Sequence, residues 1–228
     1  ENGNAVISLV VFDKDKKEIA RGSAVVLSET VAVTSFHLVC KAAEVTGLNA
    51  LKKKVDIEGL LAVDKNLDLA LLQIDGKAII LTPGPALAPA QSVIALGANE
   101  SGEMAVGDGT LRNLYEIMPN VKVADTTLAV ADTFDGGAVL NEAGNLLGLL
   151  NVFERRLKFV VPASALAAMK PGPLVKFKSW TPEEYMDSVE AGWLSGRLLM
   201  WMDENYAAVR GLDKVVKAQP NNLEAWKY

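Results

Sequence analysis

Roughly the first 170 residues of this 228-residue chain break into short apolar runs separated by clusters of Gly, Pro, Asn and Asp. That punctuation leaves no room for the helices of alternating βαβ units, so it selects an all-β sandwich or barrel. Strands are expected over 6–12, 18–27, 31–35, 55–63, 68–74, 92–96, 103–111, 122–124, 138–141, 146–151 and 158–161, with Gly22 marking a bulge or bend. Pro83, Pro85 and Pro89 lack a backbone donor and cannot sit in a central strand, so the stretch 82–89 is read as a crossover between two β-barrels, one over about 1–83 and one over about 88–170.

The character changes after Pro162. A short helical piece over 163–169 is broken by Pro171-Gly172-Pro173, and residues 173–188 read as a linker that ends in a helix start. Thr181 supplies an N-cap, Pro182 the first turn, and Glu183 and Glu184 two acids beside the positive helix end. From 189 to 228 two apolar runs interrupted at Asp203 and Asn205 predict a helical hairpin, and its end on an amphipathic pattern at Trp226 reads as a truncation.

A formal net charge of -5 argues against nucleic-acid binding, which needs a surplus of Lys and Arg on one face. Lys52-Lys53-Lys54 and Arg155-Arg156 read as solvated hairpin tips or edge-strand protection. Cys40 is the single cysteine, so no intramolecular disulfide forms, and no apolar run reaches the length of a membrane span. No signal-peptide pattern is visible at Glu1, as expected of a mature or trimmed form.

Three segments carry chemistry, in the order His, Asp, Gly-Gly. The apolar stretch Val33 to Val39 runs into His37, the only histidine; a polar loop delivers Asp68 to the mouth of an apolar strand; and Asp135 precedes Gly136-Gly137. Taken singly each has a plain reading. A lone histidine is a satisfied core or surface residue, an aspartate caps a turn, and a Gly pair makes a β-turn.

Together they resemble the catalytic segments of the trypsin superfamily, most closely its HtrA or Deg branch, over nearly all of residues 1–172. Arg21 to Val26 resembles that branch's Gly-Ser-Gly strand, Val33 to Val39 its Thr-x-x-His-Val-Val segment, Asp68 to Leu72 its Asp-Leu-Ala-Leu segment, and Phe159 to Pro162 its Phe-Ala-Ile-Pro strand. The resemblance implies two antiparallel six-stranded β-barrels. It places His37 as general base, Asp68 as the carboxylate that orients it, and Asp135 at the nucleophile position. The oxyanion-hole positions fall on Thr133 and Asp135. The family turn reads Gly-Asn-Ser-Gly-Gly, whereas here it is Thr133-Phe134-Asp135-Gly136-Gly137.

An aspartate has already lost the proton that a histidine base would abstract, and a β-branched Thr133 is unsuited to backbone angles open to glycine. The expected site is therefore His37 held as imidazolium between Asp68 and Asp135, in a pseudoprotease that binds a protein or peptide ligand and uses no cofactor or metal. Two alternatives stand beside it: an active HtrA-type serine endopeptidase, for which Ser35, Ser92 and Ser101 offer no nucleophile-like turn, and a divalent-metal site built on the same three residues. Residues 191–222 resemble one tetratricopeptide (TPR) repeat through Gly196, Leu199, Ala208, Leu212 and Pro220, with Leu223 to Trp226 starting another. Gly192, Asn205 and Gly211 depart from it. The TPR surface implies a protein partner, and the family an exported or periplasmic location.

Overall fold

The computed structural model describes residues 2–75, 79–154, 157–222 and 224–227. The chain runs through β1 (Val6–Phe12), β2 (Glu18–Ser28), β3 (Val31–Ser35), a single turn α1 (Phe36–Val39), β4 (Glu44–Leu48), β5 (Lys54–Asp64) and β6 (Leu69–Asp75). Beyond the Pro-rich connection come β7 (Ser92–Ala98), β8 (Met104–Met118), β9 (Val121–Thr126), β10 (Ala138–Leu140), β11 (Leu146–Phe153), β12 (Leu157–Pro162), α2 (Ala163–Ala168) and β13 (Val175–Lys176). Two helices close the chain, α3 (Val189–Trp201) and α4 (Asn205–Ala218).

Among the described residues the first six strands close antiparallel in the order β1-β2-β3-β6-β5-β4, and the next six in the matching order β7-β8-β9-β12-β11-β10. Closure leaves neither barrel a long free edge. The strands are fixed by burial on both faces: every residue of β11 is buried, as are all of β3 except Val31. Asx turns close several hairpin tips, with Asn49 Oδ1 accepting from Leu51 and Lys53 N–H at 3.0 Å each, and Asn99 Oδ1 accepting from Ser101 and Glu103 N–H at the same distance. Lys52-Lys53 sits at such a tip; Arg155, Arg156 and Leu223 lie outside the described residues.

The structure differs from the expectations at several places. β4 was unforeseen, because its exposed Glu44 and its Gly47 hide the alternation. β8 continues past Leu111 through a register shift between Leu111 and Leu114, where polar Arg112 and Asn113 interrupt the apolar pattern. Gly22 sits in regular register opposite Leu9, and its lack of a side chain serves close packing against Leu38. β3 ends at Ser35 as expected, and the apolar stretch beyond it turns into α1, which carries the histidine. The last helix pair starts at Val189, with Ser188 Oγ accepting from Ala191 N–H at 3.1 Å, and not at Thr181. Residues 181–184 stay non-helical because Tyr185, 1% exposed, is drawn into an aromatic pocket.

That pocket makes the segment 177–188 a strap across barrel one. Tyr185 packs edge-on against Phe36 at 5.0 Å and Phe153 at 6.3 Å, and its hydroxyl donates to Lys65 O at 2.8 Å. Trp180 Nε1 and the Glu183 N–H both donate to Cys40 O, at 2.8 and 2.9 Å, and Lys65 pairs with Glu183. The helix pair then docks on β8 of barrel two: Trp201 stacks on Tyr115 at 5.3 Å, and Arg197 lies over Trp201 while donating to Ile117 O at 2.9 Å.

The two helices meet through glycine. A Cβ on Gly211 would lie 2.7 Å from Gly192 O and 2.9 Å from Ser195 Oγ. Alanine improves helix propensity by about 1 kcal/mol, yet a methyl group pressed on a backbone carbonyl cannot be relieved by a rotamer change, and overpacking costs about 1 to 3 kcal/mol. Gly211→Ala is therefore expected to lower stability by about 1 kcal/mol or more in urea unfolding; an unchanged or raised midpoint would show that the helices separate freely.

Candidate active site

His37 and Asp68 come from barrel one, and Asp135 from barrel two. Asp64 Oδ1 accepts from Asn66 and Leu67 N–H at 3.0 and 3.1 Å, and this turn delivers Asp68, with φ of 55°, to the start of β6. Asp68 O accepts from Phe36 N–H at 2.9 Å, and Asp68 Oδ1 from His37 N–H at 2.8 Å, so one aspartate fixes the first turn of α1. Asp68 is fully buried, which leaves its carboxylate dependent on protein donors. Oδ2 receives His37 Nδ1 at 2.5 Å and Asn151 Nδ2 at 2.8 Å.

Asp135 reaches the other edge of the ring. Its Oδ2 lies 2.7 Å from His37 Nε2, an ion pair set off the line of a well-aligned hydrogen bond. Oδ1 accepts from Ser35 Oγ at 2.7 Å and from Val152 N–H at 2.9 Å. Gly136, at φ of 79°, permits the close approach that puts Asp135 there: a Cβ at Gly136 would stand 2.1 Å from Ser23 O and 2.5 Å from Thr34 Oγ1. Ser23 N–H donates to Asp135 O at 2.7 Å across the seam between barrels.

The structure thus brings His37, Asp68 and Asp135 together in the order Asp68, ring, Asp135. Both ring nitrogens face carboxylates. The three residues do not converge on a common point, because the carboxylates bracket the imidazole from opposite edges, and among the described residues no group of three His, Cys, Asp or Glu side chains is arranged to hold a metal. This corrects the metal alternative. Thr133 and Asp135 do not form a pair of free donors either, since the Asp135 N–H is donated to Asp132 O at 3.0 Å in a 3₁₀ turn over Asp132–Phe134.

Three partners of the triad escaped the sequence reading. Ser35 sits in no nucleophile-like turn, and neither Asn151 nor the Val152 N–H carries a sequence signal that points to a carboxylate. Phe153 is 1% exposed and packs edge-on to His37 at 5.5 Å, so it supports the ring. Cys40 offers no substitute nucleophile, because burial pushes its thiol up to about 11. A cleft of about 310 Å³ opens over the site, lined among others by Arg21, His37, Asp132, Thr133, Val152 and Met186.

The sequence profile of the trypsin-like peptidase domain matches residues 22–149, more than half of the chain and all three residues of the charged cluster. The chain belongs to the trypsin-like peptidase family. Solved structures of similar fold include the Rv3671c protease of M. tuberculosis in its active form, at 16% identity and a TM-score of 0.64 over 79% of this chain and 87% of that one. A serine endoprotease from Yersinia pestis aligns at 21% identity and a TM-score of 0.63, covering 73% of this chain and 61% of that one. The HtrA-type protease AlgW with a decapeptide aligns at 20% identity and 0.62, covering 72% and 62%. No curated protein sequence matches the chain. At these identities the likeness to solved structures establishes the trypsin-like fold, and the chemistry must come from the residues present.

Burial opposes charge on the His37 ring, but the fields of Asp68 and Asp135 and their contacts with both nitrogens outweigh it, holding the imidazole well above its ordinary value of 6.5. The folded chain then keeps a proton that the unfolded chain has released. The resulting stabilisation is complete below about pH 6.5 and is lost as pH rises through the folded value, with a slope of up to about 1.4 kcal/mol per pH unit. An NMR titration of the single imidazole is expected to show a midpoint above 6.5, and denaturant unfolding across the same range to show stability falling with pH. Asp135→Asn is expected to lower the midpoint and flatten the slope. A wild-type midpoint at or below 6.5 would contradict the assigned charge state.

Proposed function

We propose that this chain is a catalytically inactive trypsin-like domain, a pseudoprotease that keeps the peptidase fold and cleft as a protein- or peptide-binding module. The observation that carries the reading is the engagement of both His37 nitrogens, at 2.5 Å by Asp68 and at 2.7 Å by Asp135. A general base needs a lone pair facing a hydroxyl. Here the nitrogen that would take the proton faces a carboxylate, and the Ser35 hydroxyl donates to that same carboxylate. Asp135 itself makes a poor nucleophile toward a peptide carbonyl, since attack would give a labile anhydride while the Asp135 N–H is already given to Asp132 O.

The C-terminal helices fit the second half of the proposal. Gly196 and Ala208 occupy small positions in the manner of a TPR repeat, and the close contact of Gly192 with Gly211 accounts for two of its departures from that pattern. α3 is committed to barrel two through Arg197 and Trp201, whereas Tyr206 at 97% exposure and Val209 at 55% stand in solvent on α4, where a protein partner would meet them.

A fluorophosphonate probe separates this reading from an active serine hydrolase. No serine is expected to react under conditions in which an active trypsin-like enzyme labels to completion, and fluorogenic peptides are expected to remain uncut. Covalent labelling of any serine, abolished by His37→Ala, would establish an enzyme instead.

A further inference from the structure

We infer that the turn preceding Asp135 is locked closed independently of the side chain at 135, so that the site is inactive for two separate structural reasons. This rests on the pseudoprotease reading and says what kind of pseudoprotease it is: one that restoring a hydroxyl does not reactivate.

The turn begins at Ala131, whose carbonyl accepts from Phe134 N–H at 3.1 Å, and continues as Asp135 N–H donates to Asp132 O at 3.0 Å. The Asp132 carbonyl therefore occupies the direction in which a developing oxyanion would have to receive the Asp135 N–H. For the N–H groups of Thr133 and Asp135 to face the cleft together, the peptide joining Asp132 and Thr133 must flip. In the turn from Ala131 to Phe134 that peptide links the two central residues, and flipping it converts a type I geometry to type II, whose second central residue takes φ near +80°. That residue is Thr133. Glycine adopts such an angle freely, but a β-branched side chain there is a true outlier.

The surroundings hold the same conformation. Thr133 Oγ1 donates to Ala98 O at 2.8 Å, Ser23 Oγ donates to Thr133 O at 3.0 Å, and Ser23 Oγ also accepts from Ala98 N–H at 2.9 Å. Phe134, 4% exposed, lies against Gly97, where an added Cβ would come within 2.8 Å of the ring. These anchors join the end of β7, the middle of β2 and the turn. None of them uses the carboxylate of Asp135, which is bound separately by His37, Ser35 and Val152. Thr133 and Ser23 are thus positioning residues for a closed turn.

The test compares Asp135→Ser with Thr133→Gly/Asp135→Ser. The single variant supplies a hydroxyl beside His37 and is expected to stay unreactive toward a fluorophosphonate, while the double variant gains on the order of 10²-fold in labelling rate, the worth of one recovered oxyanion donor. A readout free of chemistry accompanies it: hydrogen exchange of the residue 135 amide is expected to be protected in the parent chain and to accelerate about tenfold or more in Thr133→Gly alone. Equal labelling of the single and double variants overturns the lock, as does an amide at 135 whose exchange Thr133→Gly leaves unchanged. Labelling of the unsubstituted chain would remove the reading on which the lock rests, whereas a reactive Asp135→Ser beside an inert parent removes the lock alone.

Discussion

The charged bridge from Asp68 through His37 to Asp135 organises the centre of this molecule. A fully buried carboxylate is tolerable only when donors surround it, and Asp68 has the ring, the His37 N–H and Asn151. Asp135 accepts hydrogen bonds from Ser35 and Val152 on one oxygen and meets the ring as an ion pair on the other. Removing the imidazole would leave two buried carboxyl groups without the partner they share. The imidazole is therefore called for by the charge of its surroundings, whatever chemistry the site performs.

Much of the fold was legible because its signals are local. β1 and β3 are short apolar runs bounded by turn residues, and the observed strands cover the same residues, 6–12 and 31–35. The three charged residues were legible for the same reason, since each sits in a short motif with its own strand or turn. What supports them was not. Ser35 and Asp135 are 100 residues apart, and Asn151 and Asp68 are 83 apart. Nothing in the residues around Ser35 announces a carboxylate arriving from the other barrel.

The errors follow the same division. Thr181-Pro182-Glu183-Glu184 has good helix-start chemistry, but the burial of Tyr185 between Phe36 and Phe153 is a tertiary demand that outweighs a preference worth about 1 kcal/mol. Gly22 and Gly211 looked like a bulge and a weak helix position. In each case the missing side chain is explained by a neighbour far along the chain, Leu38 and Asp135 for the first and Gly192 for the second.

The strap over α1 has a geometric consequence for anything that binds here. Trp180, Glu183 and Tyr185 fasten the chain to Cys40 and Lys65 immediately before the helices begin, and Arg197 and Trp201 fasten it again on β8. α4 is consequently mounted, not tethered. Its exposed Tyr206 and Val209 are carried at a set position against the barrels, as on a bracket, and not on a swinging arm.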